Sequence, residues 1–373
     1  MYVVYLDGKE IFNSTTTDIE KKLLKATLEL EDNAAGSLSL QFPVTHPVVQ
    51  NNSISQYTSE ISIYEDERWV WSGRCINELS KDFIGQLTCT FEGALAYLND
   101  TIQPSAKYES ITIEEFITEL IIQHNQKIDT LVSGGPAKYL FIGSVTVDDG
   151  YNDRYTEYET TLKCLQDLVE DNGGHIVLTY VEMPIMGEIV KGYTLDYLAD
   201  YSGVNSQYIN FGENLLDFSQ NYSLSEYCTV VLPLGKEDEN GNKITIESVN
   251  QGSEVLINQS LVTSDGWIEK VVENSEIETP SILKTWGEEQ LDKLSNKTKD
   301  LTLEVSAIDL SMLDNDVSRI NLLDTVRVIS PPHNLDVKMP VTKLSRDLLD
   351  PTQDKISLGE LIKESLSNVV STK

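Results

Sequence analysis

The sequence predicts an α+β protein that is mainly β. Three observations predict it: apolar and polar residues alternate in runs at both ends of the chain, two stretches in the middle carry helical spacing, and turn residues separate the runs. At 373 residues the chain is too long for one small core and suggests two to four domains of roughly 100–200 residues. With 40% hydrophobic residues, 11 Pro and 21 Gly, it has the composition of an ordinary folded protein.

The first hundred residues read as a β meander, domain 1–100. Residues 2–6 and 9–12 flank Asp7-Gly8, a pair that suits the positive φ of a primed hairpin turn. Leu28 and Leu30 alternate with Glu29 and Glu31, and Leu38, Leu40 and Phe42 alternate with Ser39 and Gln41, so each run buries one face. Strands at 61–64, 69–76 and 86–91 follow, and a helix-like stretch at 92–98 closes the region.

The character changes at about Thr101. Thr112 and Glu115 form a capping box before Phe116, Ile117, Leu120 and Ile121, which share a helical face. A second helix fits 161–171, with Leu162, Leu165, Leu168 and Val169 inward and Asn172-Gly173-Gly174 as its stop. A β-branched and aromatic strand at 175–181 follows, so 101–205 reads as an α+β domain.

From Asn210 the β signature returns. A strand at 228–234 leads to an inserted α+β segment, 243–298, with strands near 244–249 and 254–257 and a helix opened by Thr279-Pro280. Strands at 301–306, 324–329, 337–344 and 355–358 complete a discontinuous β domain, 206–242 with 299–360. Ser357 and Glu360 cap a last stretch, 361–373, that places Leu361, Ile362, Leu366 and Val369 on one helical face. The regions 28–91 and 301–358 repeat one order of elements. An internal duplication and the general likeness of any two meanders both fit that pattern.

Charge excludes several functions. The chain carries 28 Lys+Arg against 60 Asp+Glu, a formal net of −32, and only −3 of it falls in residues 301–373 (8 basic against 11 acidic). So acidic a surface disfavours gripping nucleic acid or anionic membranes. The start lacks the basic and apolar regions of a signal peptide, and no apolar run nears the ~18 residues of a membrane span. A protein made in the cytoplasm, without membrane insertion, is expected. Cys75, Cys89, Cys164 and Cys228 are widely spaced and read as buried small hydrophobes.

Chemistry is sparse. The four His residues, His46, His124, His175 and His333, are scattered, and no zinc-protease, nucleophile-elbow or phosphate-loop motif occurs. Cys164 with His175 is a nominal nucleophile–base pair, but Cys164 sits among core leucines of a helix. Residues 236–247 resemble a calcium loop, with acceptors at Asp238 and Asn240, Gly241 and Glu247, yet Lys236 occupies the first ligand position and a hairpin turn is the simpler reading. The acidic stretch at Asp148, Asp149, Asn152 and Asp153 reads as a solvated loop. Trp69 and Trp71 share a strand face and read as core, while Tyr155 and Tyr158 stay open as a sugar-stacking surface. No catalytic, cofactor-binding or metal residue is assigned, and no cofactor is expected.

Several strings, taken in order, resemble the tail-associated lysin or prophage endopeptidase tail family of long-tailed phages, of the Listeria type. They are Trp71-Ser-Gly-Arg74 with Asp82-Phe83, residues 90–100, Phe211-Gly-Glu-Asn-Leu-Leu-Asp217, Ala307-Ile-Asp-Leu310, residues 323–328, Asp347-Leu-Leu-Asp-Pro351 and Leu358-Gly359. The resemblance implies the baseplate-hub fold: two related β-barrel domains, an α+β domain between them and a domain inserted in the second. It implies a homotrimer at the virion tail tip that adapts a sixfold tube to a threefold tip and gates DNA exit. The partners it implies are the distal tail protein, the tail tube, the tape-measure protein and the host cell wall, with DNA passing unbound. Endopeptidase activity, in such proteins, belongs to a C-terminal region that has no residues here. A peptidoglycan hydrolase and a glycan-binding protein are the alternative readings.

Overall fold

In strands Ser37–Phe42 and Leu87–Gly93 every second side chain is buried, and the two pair antiparallel with Leu40 opposite Cys89. That alternation is what a sheet with one covered face requires. The computed structural model describes residues 1–128, 138–185, 188–201, 203–222, 227–237, 241–275, 277–295, 301–312 and 317–359. Two compact units emerge, Met1–Phe218 with Glu304–Leu358, and a second around Ser219–Leu303.

In the first unit the strands Lys25–Glu31, Ser37–Phe42, Leu87–Gly93, Arg68–Lys81, Glu60–Glu65, Tyr2–Leu6 and Lys9–Asn13 lie side by side in that order. Asp7 and Gly8 turn the last hairpin with φ of 48° and 74°. Val4, Leu28, Leu38, Leu40, Phe42, Ile61, Ile63 and Phe91 fill the core beneath.

The second β region repeats this order. Leu215–Tyr222, Leu301–Ala307, Lys355–Leu358, Leu335–Asp347, Thr325–Ser330 and Val204–Asn210 are neighbours in turn. The correspondence reaches single residues. Cys75 N–H donates to the Ser59 carbonyl and the Cys75 carbonyl accepts from Tyr57 N–H; Val341 N–H donates to the Asp324 carbonyl and the Val341 carbonyl accepts from Leu323 N–H. Tyr57 and Leu323 both hold positive φ, 62° and 69°, and both long strands are irregular just beyond this point. One pairing differs, Tyr2–Leu6 being antiparallel to its neighbour and Val204–Asn210 parallel. Of the two readings left open by the sequence, duplication is the one these details support.

The two copies are joined edge to edge. Leu335–Asp347 runs antiparallel to Lys25–Glu31, with Leu344 opposite Leu30, so one 13-stranded sheet spans both regions.

Between them in sequence lies the α+β segment, which by its contacts belongs to the first unit. Helix Ile113–Ile128 begins at the expected capping box: Thr112 Oγ1 accepts from Glu115 N–H and Thr112 N–H donates to the Glu115 carboxylate. Helix Thr161–Asn172 is capped by Thr160 and stops at Gly173, φ 72°. Both pack beside the sheet of His175–Ile185, Glu188–Leu198 and Tyr139–Val145, burying Phe116, Leu120, Leu165, Leu168, Tyr193 and Leu195.

The second unit centres on strand Val230–Leu234, flanked by Leu256–Ile257 and Glu269–Glu273 and covered by helix Pro280–Leu294. Cys228, Val231, Ile246, Leu256, Leu283 and Leu291 are its core. The strand expected near 244–249 is instead a 3₁₀ turn, Glu247–Val249, because Gly252 N–H folds back to the Glu247 carbonyl and Ile246 alone is buried. The stretch 361–373 and its Glu360 cap lie outside the described residues.

Candidate functional site

The string Trp71-Ser-Gly-Arg74 is a packing device. Gly73 lies opposite Gly93 in the paired strands, and the Trp71 indole rests over both. A Cβ on Gly93 would stand 1.8 Å from the Ala35 carbonyl oxygen, and one on Gly73 would stand 2.1 Å from that of Glu92. Only glycine allows so close an approach. Trp71 is buried in the β core, while Trp69 stacks on Tyr180 of the α+β segment at 6.3 Å.

Arg74, next along, is a buried charge with full compensation. Its guanidinium donates to Glu92 Oε1 at 2.7 Å and to both Asp100 oxygens at 2.5 and 3.0 Å, between the rings of Tyr57 and Tyr97. Asp100 also takes Lys138 Nζ at 2.6 Å. Burial alone would raise the Asp100 pKa, but the hydrogen bonds from Arg74 and Lys138 outweigh it and hold the carboxyl below its usual range. The network ties the β sheet to the α+β segment.

A second polar network ties the two β regions together. Arg319 pairs with Glu65 and Tyr2, and Arg346 pairs with Asp354 at 3.6 Å. Burial and the neighbouring Arg346 charge lower Arg319 to about 10, and burial raises Asp354 to about 6 against the pull of Arg346. The remaining strings serve backbone geometry. Buried Asp309 accepts from Gln207, Ser311 and Ile320, Asp324 accepts from Asn205 and Asn321, and Asp347 accepts from the Leu349 and Asp350 N–H groups.

A cavity of about 1260 Å³ in the first unit is lined by Trp69, Trp71, Tyr193, Leu178, Arg319 and Arg346, among others. Of its charged groups, Arg319 pairs with Glu65 and Arg346 with Asp354, as described.

The sequence's nominal catalytic and metal candidates are not brought together. Cys164 is buried beside Glu159, with its thiol pushed up to about 12 by burial, and His175 instead pairs with Asp32 at 2.8 Å. His46 caps a short helix and His124 bridges Thr101 and the Lys138 carbonyl, both with lowered pKa from burial. His333 lies against Ser330, Phe211 and Phe218. Lys236 pairs with Glu278 and Lys243 with Glu273, while Glu237 and Lys243 are joined by a backbone β-bridge, as in a hairpin; Asp238 and Asn240 lie outside the described residues. Asp149 is paired with Arg154, and Asp148 accepts from Gly150 N–H. Among the described residues no group of three or more His, Cys, Asp or Glu side chains is placed to hold a metal ion. Tyr155 and Tyr158 are exposed, with Lys107 over the Tyr155 ring. What sequence reasoning missed was Arg319, which no motif marks.

The fold is one shared with phage tail proteins. Three solved structures share it over nearly their whole length. They are the 43 kDa tail protein of prophage MuSo2 from Shewanella oneidensis (12% identity, 97% of this chain and 98% of that one, TM-score 0.61), a tail protein from Neisseria meningitidis (14%, 98% and 97%, 0.64), and prophage tail protein gp18 from Listeria monocytogenes (14%, 99% and 97%, 0.55). Residues 204–368 match the family described as prophage endopeptidase tail, which shows the resemblance read from the sequence strings. The Listeria type is one case of a likeness that extends to proteins from Shewanella and Neisseria. No curated protein matches the sequence.

Proposed function

We propose that this chain is a structural hub of a phage tail tip, acting without catalysis, as a trimer whose duplicated β regions give six similar units around a channel for DNA. The observation that carries the reading is the edge-to-edge join of two like β regions within one chain. Such a head-to-tail contact closes into a ring when its rotation divides a full turn. Three chains with two units each would meet a sixfold tube on one side and a threefold tip on the other. The distal tail protein, tube and tape-measure protein would be its neighbours, and the acidic surface would let DNA slide through unheld. Host cell-wall contact would open the channel.

The family description mentions an endopeptidase, and this reading assigns that activity to none of the described residues. The reading is supported by Cys164, His175 and the paired acids, which all serve local structure. The test is a peptidoglycan zymogram of the purified chain: no clearing is expected, and a cleared band at its mass would overturn the structural reading.

A further inference from the structure

The duplication leaves one copy's edge covered and the other's open. Leu344-Ser-Arg-Asp-Leu-Leu349 at the end of the second long strand matches Leu79-Ser-Lys-Asp-Phe-Ile84 at the end of the first. In the second copy this hexapeptide is covered by strand Lys25–Glu31: Leu344 is 2% exposed, Arg346 4% and Leu348 1%. Leu348 N–H donates to the Ala26 carbonyl, and its side chain joins the core of the first β region. In the first copy the same hexapeptide has no strand over it among the described residues. Leu79 is 36% exposed, Ile84 62% and Phe83 fully exposed at 105%. Beside Leu79 and Lys81 lies a cavity of about 270 Å³ lined also by Val48, Ile54 and Leu87.

The strand equivalent to Lys25–Glu31 is Leu215–Tyr222, which ends the sheet with one neighbouring strand among the described residues. An open apolar edge and an unmatched end strand on one chain are the two halves of the join already made inside it.

We propose that a second copy of this chain binds the edge at residues 79–81 with its own strand Leu215–Tyr222, and that Phe83 enters that copy's second β region as Leu348 enters the first. The proposal rests on the ring reading and adds its contact. Phe83 is the anchor, a large apolar side chain that is bare in the isolated chain and central in the join.

The test uses the full chain. Phe83→Asp leaves thermal unfolding unchanged, since the side chain is bare, and weakens assembly at least tenfold by light scattering. In parallel, a chain carrying both Ser80→Cys and Leu216→Cys gives covalent multimers with a short bis-maleimide, and each single variant gives none. Assembly by Phe83→Asp as strong as the parent's, without cross-linking of the double variant, would overturn the proposed contact and leave the ring intact. A parent chain that stays single at every concentration, with no cross-linking, would overturn both.

Discussion

Arg74 and Asp100 form a two-pronged ion pair, at 2.5 and 3.0 Å, in which the arginine side chain is only 5% exposed. With Glu92 and Lys138 completing it, the pair carries the join between the β sheet and the α+β segment. Removing one partner of a buried pair leaves the other charge uncompensated, which costs about 3–5 kcal/mol. Arg74→Met is expected to fall at the lower end, about 3 kcal/mol, because Asp100 keeps 30% of its exposure. Urea unfolding followed through Trp69 and Trp71 fluorescence checks it. Arg74→Lys should recover little, since an ammonium cannot reach two carboxylates in a fork.

Asp354 supplies a pH signature. Its folded pKa of about 6 exceeds the unfolded value of 3.8, so the folded state holds the proton more tightly. Stability from this group is therefore greatest below about pH 4 and is lost as pH rises through 6. Relative to Asp354→Asn, the parent is expected to lose on the order of 2 kcal/mol between pH 4 and pH 7.5. Denaturation of both proteins across that range measures the difference, and parallel curves would contradict it.

Gly93→Ala is expected to be poorly tolerated, by about 2 kcal/mol or more, because the new methyl would enter the Ala35 carbonyl just before the paired strand Ser37–Phe42. The midpoint of urea unfolding should fall with an unchanged slope.

The Thr112 hydroxyl caps the first long helix. Thr112→Ala should cost about 1 kcal/mol and speed amide exchange in the first turn of Ile113–Ile128, with little change in Thr161–Asn172.

Much of this fold was legible because local rules acted alone. Thr112 with Glu115, the stop at Asn172-Gly173-Gly174, and the alternation at Leu38, Leu40 and Phe42 each needed only a few neighbouring residues. The 3₁₀ turn at Glu247–Val249 was read as a strand because its fate depends on Ile246 finding a pocket among residues distant in sequence. The polar junctions were harder still. Arg319 meets Glu65 and Tyr2 across more than two hundred residues, and no spacing in the sequence announces such a contact. The strings that pointed to tail proteins are legible for a related reason: Gly73, Gly93, Asp309 and Asp324 hold backbone geometry that few other residues can supply.

In the proposed ring the net charge of −32 would have a role. Carboxylates are expected to outnumber Lys and Arg on the wall of the assembled channel, so that phosphate is repelled along the path. A map of the assembled ring with a basic lumen would leave the acidity as a contribution to solubility alone.

The central claim is the ring, and the most direct measurement is mass by light scattering across a concentration series, paired with negative-stain images. The account predicts a species of three 41.8 kDa chains and ring-shaped particles with a central hole. A single chain at every concentration, with no rings in the images, would contradict it.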